Sequence, residues 1–203
     1  MRFAPLSRLM SRSIGFPGWI LMRAYRARLA VNPNIELGSH IELDGFPFID
    51  IRRGARLCIG NNVTLTSRNR GYHINLHSPV KLFADREGAR IKIGDNTRIH
   101  GACIHAWKSV EIGNNCLIAA NCQILDANGH DLSFDNVANR INTKGEAKPV
   151  VIQDNVWICA NSIVLPGVTI GEGSVVSANS VVAGNIPAMS LARGNPAMVV
   201  KKF

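Results

Sequence analysis

From Ile152 onward the chain keeps one beat. An aliphatic residue opens every sixth position: Ile152, Ile158, Val164, Ile170, Val176 and Val182. The fifth position of each hexad is small or β-branched: Val156, Ser162, Val168, Ser174, Ser180 and Ile186. Ile112, Ile118 and Ile124 open three earlier hexads, with Cys116 and Cys122 at fifth positions. Farther back the pattern loosens. "GARLCIGNN" (54–62) returns 34 residues later as "GARIKIGDN" (88–96), and "ELGSHIELDG" (36–45) puts the start of the pattern near Ile35.

A period of six is neither the 3.6 of a helix nor the 2 of a half-buried strand. It fits a short strand plus a turn, repeated around a three-faced prism. Three hexads make one coil, and coils stack as parallel strands about 4.8 Å apart. The predicted fold is therefore all-β, a parallel β-helix over residues 35–203. A solenoid needs protected ends. Residues 1–34 are the expected N-terminal cap, helical or irregular, and the tail 187–203, ending "PAMVVKKF", is the expected cap at the other end.

The beat fails once in its regular half. The hexads at 112, 118 and 124 complete a coil, and the next should open at 130, but the beat resumes at 152. Residues 130–151 are thus looped out at one corner. Their content, "HDLSFDNVANRINTKGEAKP", is polar, and loops of this length usually serve function. His130 stands at the entrance, held by a rigid coil on one side. That place suits a catalytic base, because imidazole titrates near the working pH. Asp126, four residues earlier, is a candidate to orient the ring, and Asp131 is a second. Both fit equally as turn residues.

Composition sharpens this picture. Aromatics are only 6% against 46% apolar residues, which suits a thin core of branched aliphatics. The net charge of +9 is concentrated: six arginines (2, 8, 12, 23, 26, 28) and no acid precede Glu36, leaving 17 bases against 14 acids beyond. No aromatic-interleaved basic stripe or nucleic-acid motif appears, so no nucleic-acid partner is expected. "FPGWILM" (16–22) is too short to span a bilayer and lacks a leader cleavage site. A cytoplasmic protein is expected, with peripheral contact of an Arg-rich segment at about 5–30 with the inner membrane face as an option. Five cysteines (58, 103, 116, 122, 159) lack CxxC spacing. They read as reduced thiols, with Cys103, Cys116 and Cys122 as small core residues.

"VIQDNVWICANSIVLPGVTIGEGSVV" (151–176) and "IPAMSLARGNPAMVVKK" (186–202) resemble the hexapeptide-repeat acyltransferases. The likeness is specific over 112–202, looser over 35–111, and does not cover 1–34. Within that family the chain is most similar to the maltose and galactoside O-acetyltransferases and to those of bacterial polysaccharide synthesis. The resemblance implies a left-handed β-helix, a homotrimer with sites between prisms, and acetyl-CoA as acyl donor. It implies no metal. It assigns His130 as the base that deprotonates an acceptor hydroxyl. It places Trp157 along the pantetheine arm, Ala160 and Ala178 as backbone contacts to it, and Lys201, Lys202 and Arg193 near the 3′-phosphate. Two positions depart from the family pattern: Ala183-Gly184 where Thr-Lys is usual, and Ile158-Cys159 where Ile-Gly is usual.

The implied acceptor is a hydroxyl of a sugar or polysaccharide precursor. An amino-sugar nucleotide or a xenobiotic is the alternative, and residues 66–87 and 130–151 are the segments expected to set the choice. Two other classes share the fold. A γ-carbonic-anhydrase-like zinc protein would use His100 and His105, five apart, with His73 or His77. That family's third histidine falls near Thr64 here. A non-catalytic scaffold would not need His130.

Overall fold

The computed structural model describes residues 16–203, with side-chain surroundings from Gly18 onward. Arg2, Arg8 and Arg12, and with them half of the expected N-terminal cap, lie outside the described residues.

Three sheets form the faces of a prism. The first holds six strands, from Ile35–Leu37 to Thr169–Ile170. The second holds eight, from Glu42–Asp44 to Ala197–Lys202, and the third six, from Phe48–Ile51 to Val181–Val182. Up to Val182 the hydrogen-bonded neighbour of each strand is the third one along the chain, and the pairs are parallel. This is a left-handed parallel β-helix.

Side chains alternate in and out along each strand. The inward set is the hexad openers. Ile112, Ile118, Ile124, Ile152, Ile158, Val164, Ile170, Val176 and Val182 are all 0–1% exposed. Fifth positions are buried too, and their serines are satisfied: Ser162 donates to the Ser177 carbonyl (3.0 Å) and Ser174 to that of Pro187 (2.6 Å). Cys116 and Cys122 do lie in the core, their thiols aimed at the carbonyls of Gln153 (3.1 Å) and Cys159 (3.2 Å). Burial pushes the Cys122 thiol up to about 12. Cys103 does not join them. It faces outward between Lys81 and Gln123, because inward places on that strand belong to Ile104 and Ala106.

The corners explain the recurring Asn. Asn62, Asn96, Asn115 and Asn155 stack at the corner between first and second faces with φ of 56, 57, 56 and 61°. Asparagine tolerates this left-handed conformation better than most residues. Their amides also bond from coil to coil at 3.1–3.2 Å. Asn121, Asn161 and Asn179 do the same turn between second and third faces. Coils stack closely: a Cβ on Gly94 would come within 2.5 Å of the Gly113 carbonyl carbon.

A helix, Phe16–Ala30, lies against the first coil through buried Met22 and Leu29, and Tyr25 donates to the Pro47 carbonyl (2.6 Å). Among the described residues no helix is long and apolar enough to cross a membrane. At the other end, Ala197–Lys202 turns back antiparallel along Ser190–Gly194. Two segments are looped out. Residues 126–149 leave at the corner between third and first faces, and the core pattern resumes at Val150, two residues earlier than Ile152. Residues 67–80 form a second excursion, between second and third faces. It is tied down by Asn121, whose amide donates to the Asn75 carbonyl (2.9 Å) and accepts from the His77 amide (2.9 Å). Leu76 and the Ser78 carbonyl then sit against Gly101.

Candidate active site

His130 is exposed at the start of the longer loop. Its Nδ1 lies 3.2 Å from the Thr143 carbonyl. A carbonyl can only accept, so Nδ1 carries the proton of this contact, and in the neutral ring Nε2 is the nitrogen with the lone pair. The neighbouring Asp131 amide donates to Thr143 Oγ1 (2.9 Å), which fixes the backbone beside the ring. The loop is closed at its base by the Lys148 amide on the Asp126 carbonyl (2.7 Å) and a bridge between Ala127 and Ala147. A short 3-10 turn, Val137–Asn142, shapes its outer part, with none of its residues buried.

Asp126 has a different place from the one expected. Its side chain is 1% exposed and accepts the backbone N–H groups of Trp107 (2.7 Å) and Lys108 (2.6 Å). The contact that orients His130 is the Thr143 carbonyl. Asp126 instead clamps the corner of the preceding coil to the base of the loop. Asp131 bonds its own loop, to the Leu132 amide (2.7 Å) and Ser133 hydroxyl (3.2 Å).

The residues expected on the donor side share the second face and its edge toward the third. Trp157 opens the strand Trp157–Ile158, outward and 47% exposed between Leu117 and Val175. It is therefore on a face and not at a corner, because the corner belongs to Asn155. Ala160 and Ala178 sit one coil apart at the edge, where the Asn179 amide donates to the Ala160 carbonyl (3.0 Å). Arg193, Lys201 and Lys202 are exposed on the last two strands of the same sheet. Lys201 Nζ lies 4.2 Å from the Phe203 ring centroid. The third face separates this set from the edge that carries His130, so one chain does not bring them together.

The histidines of the zinc reading have separate surroundings. His100 ends a strand of the second face and stacks on Tyr72 (4.8 Å between centroids). Burial, helped by Arg98 and His73, lowers its pKa to about 4. His105 is on the third face, stacked on Phe83 at 4.9 Å and 7°, with Nε2 3.2 Å from Asp85 Oδ2. No group of three His, Cys, Asp or Glu converges as a metal site among the described residues. The pairing of Asp85, His105 and Trp107 escaped the sequence reading, since its members come from two coils and carry no motif.

Known proteins show the same organisation. Residues 149–184 match the bacterial transferase hexapeptide family (six repeats), and residues 90–125 match the hexapeptide repeat of succinyl-transferase. The lipopolysaccharide biosynthesis O-acetyl transferase WbbJ of Escherichia coli K12, as that protein is named, is 40% identical over 137 residues, covering 64% of this chain and 69% of WbbJ. The chain belongs to the hexapeptide-repeat acyltransferase family. A Schizosaccharomyces pombe member named as an acetyltransferase is 46% identical over 94 residues, 46% of this chain and 44% of the relative. The chain spans about half the length of some relatives it matches, 44% and 58% in two cases. Among solved structures of the family, the hexapeptide-repeat acetyltransferase VCA0836 of Vibrio cholerae, complexed with acetyl coenzyme A, is 36% identical. It superposes with a TM-score of 0.52 over 59% of this chain and 64% of that one.

Proposed function

We propose that this chain is an acetyl-CoA-dependent O-acetyltransferase that acts on a sugar or glycan hydroxyl, with His130 as general base. The observation that carries the reading is the Nδ1 contact of His130 to a carbonyl, which leaves Nε2 basic and exposed on a loop set into a rigid frame. Nε2 takes the acceptor hydroxyl proton as the oxygen attacks the thioester carbonyl carbon. A tetrahedral oxyanion forms and needs a backbone N–H donor. Its collapse breaks the C–S bond, and the imidazolium returns its proton to the departing CoA thiolate.

The donor side fits CoA chemically. Trp157 offers a flat apolar surface, and Ala160 and Ala178 leave the backbone open to close approach by an amide-bearing chain. Lys201, Lys202 and Arg193 supply point charges for a phosphate. Because His130 and this set lie on different edges, a site that uses both needs a second copy, which a closed ring of subunits supplies; the family resemblance makes that ring a homotrimer. Two features support such an assembly. The loop exposes Phe134 (79%) and Ile141 (78%), with Arg140 lying over the Phe134 ring. From Cys103 on, the outward row of the third face (Cys103, Gln123, Ile163, Val181) is uncharged, Lys81 being its one cation lower down, whereas the first face presents Glu36, Lys92 and Glu111. The helix that exposes Trp19, Ile20 and Leu21 beside Arg23, Arg26 and Arg28 supports peripheral contact with an anionic bilayer.

The test is calorimetric titration with CoA and acetyl-CoA beside a metal analysis, followed by transfer assays on wild type and His130→Ala. Micromolar CoA binding and a rate lowered about 10²–10⁴-fold in the variant are expected. An unchanged rate in His130→Ala would remove the base assignment. Zinc bound at one per chain without CoA binding would replace the reading with the metal one.

A further inference from the structure

We propose that Asp85, His105 and Trp107 form the acceptor subsite, and that its ligand is a pyranose ring. This rests on the acetyl-transfer reading above. A general base must come within about 2.6–3.2 Å of the hydroxyl it deprotonates, so the acceptor lies against the prism edge that carries His130. That edge is not bare. Asp126, at the base of the His130 loop, holds the backbone of Trp107 and Lys108 directly. The register lines up Phe83, His105 and Leu125 outward on successive coils, and Leu125 leads into the loop.

The chemistry of the cluster suits a sugar. A pyranose has apolar C–H faces and a rim of hydroxyl donors. Sites for it combine aromatic surfaces with a few placed polar groups. Here Phe83 and His105 are stacked almost parallel, and Trp107 meets His105 edge-on at 6.1 Å. Asp85 Oδ2 accepts the Trp107 indole N–H (3.1 Å) and lies 3.2 Å from His105 Nε2. Asp85 Oδ1 is covered and has no hydrogen-bond partner. A carboxylate oxygen left without a donor is costly, and a hydroxyl would satisfy it. Arg86 lies over the indole, its guanidinium carbon 3.2 Å from the Trp107 ring centroid. A sugar ring that takes its place over the indole would bring its hydroxyls beside Asp85, whose Oδ2 already holds the indole N–H. Arg86 swings on a flexible stem, so the exchange needs no backbone change.

The test uses the full chain loaded with CoA, titrated with methyl α-D-glucopyranoside, methyl β-D-galactopyranoside and methyl β-D-glucuronide. Binding is read by saturation-transfer NMR. At least one probe should bind, and Trp107→Ala and Asp85→Asn should each weaken it about tenfold or more, with CoA affinity unchanged. Should Trp107→Ala fail to fold, Trp107→Phe and the isosteric Asp85→Asn carry the test. Equal affinity in the variants, or no pyranoside binding by a wild type that binds CoA, overturns the assignment. Failure of the wild type to bind CoA removes the donor reading, and the subsite with it.

Discussion

From Val150 to Val182 each inward side chain is at most 1% exposed, while from Asn128 to Pro149 no residue is buried. The two stretches are neighbours in the chain and obey different physics. In the coils, every inward side chain rests on its counterparts one coil above and below, so burial is set by the stack as a whole. In the loop, backbone groups are satisfied by side chains such as Thr143 and Asp131, and large apolar residues are left open. The contrast separates two duties. The coils hold position, and the loop carries His130, Phe134 and Ile141 in the open.

His130→Ala should break the comparison on the functional side: the transfer rate falls about 10²–10⁴-fold while thermal unfolding is unchanged. Ile158→Ala should do the reverse. It leaves a cavity in a column that cannot collapse, and denaturant titration should show a loss of about 2–5 kcal/mol. Asp126→Ala tests the border between the regions. It strands two backbone N–H groups and should cost about 2–3 kcal/mol, whereas a role in orienting His130 would show instead as an altered pH–rate profile at unchanged stability. Phe134→Ser and Ile141→Ser should leave protomer stability within about 0.5 kcal/mol but weaken self-association in sedimentation.

A separate effect is expected with pH. His100 has its folded pKa lowered from 6.5 to about 4. The unfolded chain therefore binds the extra proton first as pH falls. The stabilising contribution is complete above 6.5 and is lost between there and about 4. His100→Asn should flatten that part of the stability profile, and an unchanged slope would show that His100 does not titrate there.

Much of the fold was legible because a period-six pattern has one structural solution that buries every opener. The loop position of His130 was legible for the same reason, since it stands where the period fails. Trp157 was harder to place, since a hexad does not say which of its residues turns the corner. The left-handed Asn155 decides that, and it moves Trp157 onto the face. Cys103 misled because the earlier coils carry four-residue strands in which small residues alternate outward. Asp126 was beyond reach. Its partners, Trp107 and Lys108, lie 19 and 18 residues back, and only stacked coils bring such distances to zero. The excursion at 67–80 was hidden because the 34-residue return of "GAR" looks like a plain repeat when it is a coil plus an insertion.

The reversed final strand has a consequence for what the chain cannot do. A stack of parallel coils is a template for its own continuation: its last coil presents unpaired backbone groups to any copy whose first coil fits. Ala197–Lys202 runs against that direction along Ser190–Gly194, and its outer rim carries two consecutive lysines. A coil arriving on this face from another molecule meets the wrong strand polarity. The tail thus closes the edge of one face, turning a surface that could template further strands into a finished end.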